Sequence, residues 1–269
     1  MLSIVVPGYN EAGNISRLVT AIREAMNGIP LTYEFIYVDD ASTDESWEIL
    51  QRLGSEDVRI RALRLAKNCG QSAALWAGVQ TVRGSIIATL DADLQNDPAD
   101  LPKFLEALSN CDCVCGSRRQ TRRVGDNLVR HISSRIANEV RNMITRETIS
   151  DSGCGYRVFK RECAANLKFF KGMHRFLPTL FKIEGYTVAE IPVSHHARLA
   201  GKSHYGIWNR LFTSMRDLFA VRWMQNRSVR YKIAERINFP SPEDLTSCES
   251  MPSAAHDPAA IAFPGPRSA

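Results

Sequence analysis

Short apolar runs recur along the first half of the chain, each ending in polar residues and followed by a stretch with helical spacing. Residues 2–7 read as a buried strand, Gly8 to Gly13 as a loop, and Asn14 as the N-cap of a helix running to about Met26. A second strand is expected at Glu34 to Val38, with Ser42 or Thr43 capping a helix over Glu45 to Leu53. Residues 58–65 alternate like a third strand, Gln71 to Val82 is helical, and Ser85 to Leu90 forms a fourth strand. Pro98 to Leu108 then fits a helix and Cys111 to Cys115 a fifth strand. This β–α alternation predicts an α/β fold with a mainly parallel central sheet flanked by helices and right-handed crossovers. In such sheets ligands lie at the carboxyl ends of the strands. Tyr9, Asn10 and Glu11, then Asp39 and Asp40, then Asp91, Asp93 and Gln95 all fall at that edge.

The second half is less regular. Residues 127–147 look like an amphipathic helix, Asp151 to Arg157 like a turn-rich loop, and Val158–Phe159 and 186–193 like strands. His195 to Ser203 reads as a polar loop and 206–236 as helix, where apolar and aromatic residues such as Leu218, Phe219 and Trp223 alternate with arginines. Such a face suits a membrane interface, and equally a helix packed on the rest of the chain or on a second subunit. From about Asn238, Pro, Ser and Ala dominate, as in a disordered tail. The expected organisation is a catalytic domain over 1–205, an amphipathic basic and aromatic helical region over 206–237, and a tail over 238–269.

Composition changes this picture little, but charge distribution does. Lys and Arg total 34 against 29 acids in 269 residues, a surplus of +5. The surplus is concentrated: Arg118, Arg119, Arg122, Arg123, Arg130 and Arg135 fall in one stretch, and a second basic run covers Arg210 to Arg236. Local basic patches gather anions such as diphosphates and lipid phosphates. The 7 cysteines show neither zinc-finger spacing nor a disulfide framework, and with no signal peptide a reducing cytosolic setting is expected. No apolar run reaches the roughly 18 to 20 residues that span a bilayer.

The acidic loop carries the sharpest chemistry. Asp91 and Asp93 flank Ala92, so on an extended strand end their side chains would point the same way, towards one cation. Two carboxylates and the Gln95 amide are hard oxygen ligands suited to Mg²⁺ or Mn²⁺. A cation there would neutralise charge on a departing diphosphate.

Together with the other motifs this loop resembles the family-2 glycosyltransferases of GT-A fold, and within them the dolichol- and polyprenyl-phosphate sugar synthases. The matching stretches are Val6 to Glu11, Val38 to Asp44, Asn68 to Gln71, Leu90 to Gln95, Cys115 to Arg118, Asp151 to Gly153 with Arg157, and His195 to Ser203. They run in family order over residues 1 to about 210. Gly8 departs from the pattern, where the family usually has Thr or Val, and so does the absence of the C-terminal membrane helices that many members carry. The resemblance implies that Pro7, Tyr9 and Glu11 hold the base and ribose and that Asp40 contacts the nucleoside. A helix-capping role for Asp39 and Asp40 is the alternative. Ala92, between the two carboxylates, would also line the donor. Lys67, after the third strand, is placed to approach the diphosphate or is simply an exposed lysine. Arg198 and Lys202, separated by Gly201, suit a flap closing on the diphosphate. Adjacent His195 and His196 point opposite ways on an extended loop, which favours positioning or exposure over a metal or base role.

The acceptor decides the remaining chemistry. A hydroxyl acceptor calls for a carboxylate base, whereas a phosphate acceptor is already ionised and calls for cations. Arg118, Arg130, Ser134 and Arg135 fit the second case, with 130, 134 and 135 spaced to share part of a helical face. Asp151 is then read as orienting an arginine rather than as a base. Asp93, Arg118, Arg130 and Arg135 are the candidate catalytic residues. The expected partners are a nucleoside diphosphate sugar, GDP- or UDP-linked, a polyprenyl phosphate and the cytoplasmic face of a membrane, with a homo-oligomer allowed and nucleic acid not expected. The competing readings are a family-2 enzyme with a hydroxyl acceptor and an inactive sugar-nucleotide-binding or scaffold protein. A dinucleotide oxidoreductase is disfavoured because no Gly-x-Gly-x-x-Gly follows the first strand.

Overall fold

The computed structural model describes residues 1–118, 138–196 and 207–229, with only the backbone described for 207–214. Its strands are β1 (Leu2–Gly8), β2 (Tyr33–Asp39), β3 (Ile60–Arg64), β4 (Ile86–Thr89), β5 (Cys113–Ser117), β6 (Arg157–Lys160) and β7 (Val188–Pro192). They form one sheet in the order β3-β2-β1-β4-β6-β5-β7. β6 runs antiparallel to β4 and β5, and the remaining pairings are parallel. The helices are α1 (Ala12–Met26), α2 (Ser46–Glu56), α3 (Gln71–Val79), α4 (Leu101–Ala107), α5 (138–145), α6 (Leu177–Glu184) and α7 (Ile207–Arg227).

Alternation along β1 sorts the core into two layers. Leu2, Ile4 and Val6 face α1, α2 and α4, where Ile15, Leu18, Leu50 and Phe104 pack. Val5 faces the opposite layer with Ile36, Val38, Ala74, Phe181, Leu218 and Val221, from β2 and helices α3, α6 and α7. Burying both sheet faces explains why the parallel strands read as nearly continuous apolar runs. Cys113 and Cys115 join this second layer as small hydrophobes, their sulfurs 3.8 Å apart on one strand face. Six cysteines among the described residues are free thiols.

Several expected boundaries move. Helix α1 starts at Ala12, so Asn14 lies in its first turn, buried, donating its amide to Glu11 Oε2 at 2.6 Å instead of capping. Neither Ser42 nor Thr43 caps α2, whose N-cap is Glu45. Asp44 accepts the Ser46 N–H on Oδ1 and the Ala12 N–H on Oδ2, each at 3.1 Å, and so satisfies a first-turn donor of both helices. The third helix ends at Val79, the fifth strand begins at Cys113, and Pro98 to Asn110 is a short α-helix between two 3-10 turns. Helix α6 is not among the expected elements. No helix among the described residues is long and apolar enough to cross a membrane. The expected disordered tail lies outside the described residues.

Candidate active site

The carboxyl edge of the sheet is built from loops that hold one another. β1 and β2 run in register with Gly8 opposite Asp39. Beyond them the Asn10 N–H donates to Ser42 Oγ at 2.8 Å, and Asn10 Oδ1 accepts the Thr43 N–H at 2.8 Å. Asp39 is buried, accepts the Ser42 N–H at 3.1 Å and meets Arg64 Nε at 3.2 Å. The two loops therefore form one surface, on which Pro7 is buried, Glu11 is half-buried and the Tyr9 ring stays 38% exposed. Gly8 is forced by its neighbour: a β-carbon there would collide with the hydroxyl of Tyr37, a fully buried side chain. Asp40 is also buried, and both of its carboxylate oxygens accept main-chain N–H groups, from Cys69 and Gly70 at 2.7 Å each. Lys67 is exposed.

The acidic loop differs from the expected geometry. β4 ends at Thr89, so Asp91 and Asp93 sit in a turn and not on an extended strand end. Leu94 takes a left-handed φ of 57°, and Asp93 Oδ1 accepts the Gln95 N–H at 3.2 Å. Burial, and then the neighbouring Asp93 carboxylate, raise the Asp91 carboxyl above its ordinary value against the pull of Arg157, Arg118 and the Gln71 amide. A divalent cation would offset that repulsion, and the two carboxylates with the Gln95 amide are donors of the right hardness. Among the described residues no cluster of three or more His, Cys, Asp or Glu side chains forms an alternative metal site.

β6 brings the third component to the same edge. Arg157 pairs in register with Thr89 on one side and Cys115 on the other. It is buried, donates Nη2 to the Ser152 carbonyl at 3.3 Å, and has no partner for Nε. Just before it, the Gly155 backbone abuts Asp91 so closely that a β-carbon would collide with both carboxylate oxygens. Asp151 and Arg118 form a two-pronged pair, Nε to Oδ2 at 2.7 Å and Nη2 to Oδ1 at 2.9 Å, with the Arg118 N–H also donating to Oδ2 at 3.1 Å. Burial alone would lower the Arg118 pKa, but Asp151 holds it above its ordinary value. Glu190 on β7 anchors the loop by accepting the Ser150 and Asp151 N–H groups, while Asn138 and Asn142 of α5 donate to the Ser150 and Ile149 carbonyls.

The edge thus gathers Asp91, Asp93, Arg118, Asp151 and Arg157, with Pro7, Tyr9 and Glu11 on the adjoining loops. His196 is exposed, donates its N–H to the Gln95 carbonyl at 3.0 Å and lies 3.1 Å from Asp97 Oδ2; His195 bridges to Asn96. Both join the segment after β7 to the acidic loop. Arg130, Ser134, Arg135, Arg198 and Lys202 lie outside the described residues. Sequence reasoning missed the contacts of Gln71, Gly155 and Glu190. Only Gln71 carried a signal, as the last residue of a matched motif.

A model of the family described as glycosyl transferase family 2 matches residues 3–167. The chain is 37% identical over 237 residues to a dodecaprenyl-phosphate galacturonate synthase of Rhizobium johnstonii, covering 86% of this chain and 68% of that one. It is 36% identical over 221 residues to an undecaprenyl-phosphate 4-deoxy-4-formamido-L-arabinose transferase of Edwardsiella ictaluri, covering 81% and 66%. The chain therefore spans about two thirds of the length of these relatives. Among solved structures it resembles glucosyl-3-phosphoglycerate synthase of Mycobacterium tuberculosis in complex with Mn²⁺, UDP and phosphoglyceric acid, at TM-score 0.63 and 19% identity over 86% of this chain and 80% of that one. The same enzyme with Mg²⁺ and UDP gives TM-score 0.61 at 19% identity, over 84% and 79%. Sheet order and structural likeness define a GT-A fold, and the family match makes the chain a glycosyltransferase. The chain belongs to glycosyl transferase family 2.

Proposed function

We propose that this chain moves a sugar, with inversion, from a GDP- or UDP-sugar to the phosphate of a polyprenyl phosphate. The observation that carries this reading is the Arg118–Asp151 pair. A hydroxyl acceptor needs a carboxylate to take its proton, and Asp151, at the carboxyl edge beside the arginine assigned to the acceptor, is instead engaged by that arginine, Arg118, at 2.7 and 2.9 Å. A phosphate nucleophile needs no base. Its oxygen forms the bond to the anomeric carbon as that carbon's bond to the donor diphosphate breaks, and the electron pair leaves with the diphosphate. The names of the relatives, both polyprenyl-phosphate sugar enzymes, support the same acceptor.

In this reading Arg118, held rigid by Asp151, receives the acceptor phosphate with Arg130, Ser134 and Arg135. Pro7, Tyr9 and Glu11 hold the nucleoside, the exposed Tyr9 ring offering a stacking face. Lys67, Arg198 and Lys202 balance the diphosphate. Asp91, Asp93 and Gln95 would hold Mg²⁺ or Mn²⁺, which when bound neutralises charge on the leaving group. The outward face of α7, with Phe219 59% and Trp223 62% exposed beside Arg216 and Arg227, supports peripheral docking on the cytoplasmic face of a membrane.

Incubating the protein with Mn²⁺, radiolabelled UDP- and GDP-sugars, and either undecaprenyl phosphate or free sugars tests the reading. Label should pass to the lipid from one donor class. In the same assay Arg118→Ala should raise the acceptor KM at least about tenfold, the order expected for one lost charge-assisted pair, with little change in the donor KM. Transfer to the free sugars alone, or equal effects on both KM values, would sink it.

A further inference from the structure

Gln71 opens α3 with an exposed side chain, yet its amide is held in place: Nε2 donates to Asp91 Oδ1 at 2.8 Å. The turn before it explains the aim. Asp40, at the end of β2, accepts the Cys69 and Gly70 N–H groups at 2.7 Å, and Asn68 Nδ2 donates to the Asp40 carbonyl at 3.2 Å. Gly70 sits at φ +87°, and its carbonyl accepts the Ala73 and Ala74 N–H groups that begin the helix. A carboxylate after β2 thus fixes the turn from which an amide reaches the carboxylate after β4. On its other side Asp91 is backed by the Gly155 main chain, itself tied to β4 by Thr89 Oγ1 donating to the Gly155 carbonyl at 2.9 Å.

We infer that Gln71 is a positioning residue that sets the Asp91 carboxylate for cation binding, and that Asp40 acts through it. The inference rests on the cation site proposed above. A neutral amide suits the task because it donates one hydrogen bond without bringing a charge that would compete with a dication. Lys or Arg at 71 would instead neutralise Asp91 and displace the ion. Asp40, whose carboxylate oxygens both point at the 69–70 amides, is thereby assigned to the turn and not to the nucleoside.

Outer partners of metal-ligating groups typically change metal affinity by about 10–100-fold. Mn²⁺ binding followed by electron paramagnetic resonance, with UDP and in parallel with GDP, reads that effect without turnover. Gln71→Met keeps length and volume but removes the donor, and at an exposed position it should leave Tm nearly unchanged. We expect its Mn²⁺ affinity to fall by about tenfold or more, and Gln71→Ala to do the same. A steric role would spare the Met variant. Asp40→Asn should weaken Mn²⁺ binding in the parent and add nothing in the Gln71→Met background. If Asp40→Asn fails to fold, Gly70→Ala, which meets no atom within 4 Å but strains the positive φ, displaces the same turn. Wild-type titration curves for Gln71→Met would overturn the inference, and additive effects would remove Asp40 from it. Failure of the unmodified protein to bind Mn²⁺ with either nucleotide would overturn the cation site itself.

Discussion

At Asp91 the proposed cation role and stability pull in opposite directions. Its carboxyl is raised by burial and then by Asp93, so its ionised form is less favoured in the folded chain than in the unfolded one. A raised carboxyl pKa means the folded state holds its proton longer, and folding stability falls as pH rises through that value. The metal-free protein therefore carries this penalty at any pH above that value. Asp91→Asn should abolish sugar transfer yet raise the Tm of the metal-free protein by about 2–4 °C, as replacements at strained functional sites often do. A differential scanning experiment without divalent cations checks it, and a lowered Tm would show that the site carries no such penalty.

At the level of elements, the loop after β2 does more than its sequence suggests. Asp44 accepts a first-turn N–H from both α1 and α2, and its contact to Ala12 spans 32 positions. Losing a side-chain acceptor for a first-turn N–H costs about 1 kcal/mol, so Asp44→Ala should remove about 2 kcal/mol, read as a lower urea midpoint at unchanged m. An effect of about 1 kcal/mol would mean only one helix depends on it. Asn14 is the local capping candidate in the sequence, but the side-chain acceptor for the first N–H of α1 comes from another loop. The strands and the acidic edge were legible because buried parallel strands read as apolar runs and their polar ends as loops. The direction of β6 was not, since four residues of Arg157–Lys160 carry no orientation signal. Helix α6 was legible and overlooked: Leu177, Leu180 and Phe181 share a face, and Gly185 closes it at φ +101°. The contact of Gln71 with Asp91 depends on tertiary placement and could not be read.

Among the described residues, the carboxyls whose pKa is shifted differ in direction between the two edges of the sheet. At the amino edge the acids are paired. Lys160 and then Thr187 hold Asp112 at about 2, and Arg59 holds Asp57 well below the usual carboxylate range. Burial would raise the Glu34 carboxyl, but Ser3, the Arg83 amide and Arg61 together hold it down. At the carboxyl edge Asp91 is raised. Depressed carboxyls stabilise the fold above their unfolded values of about 4 and lose that contribution as pH falls through the folded ones. Stability should thus decline between about pH 4 and pH 2, and Lys160→Met should shrink the decline. Urea titrations across that range check it, and an unchanged pH profile for Lys160→Met would rule out Asp112 as a contributor. The paired acids of the amino edge add to acid-sensitive stability, whereas Asp91 at the carboxyl edge subtracts from it.

Three loops at that second edge each contain a non-glycine residue in the left-handed region: Asn10, Ala41 and Leu94 at φ 56°, 61° and 57°. For an engineer seeking a hardier enzyme they are not equivalent. Glycine at 10 would delete the side chain that accepts the Thr43 N–H, and glycine at 94 would strip a leucine packed on the core. Ala41 has only a methyl to lose. Left-handed strain of about 1–2 kcal/mol exceeds the roughly 0.5–1 kcal/mol entropy cost of glycine. Ala41→Gly should therefore gain about 0.5–1 kcal/mol, seen as a higher urea midpoint with transfer activity intact. Of the three strained positions at this edge, it is the one where stability can be gained without deleting a hydrogen bond or a core contact.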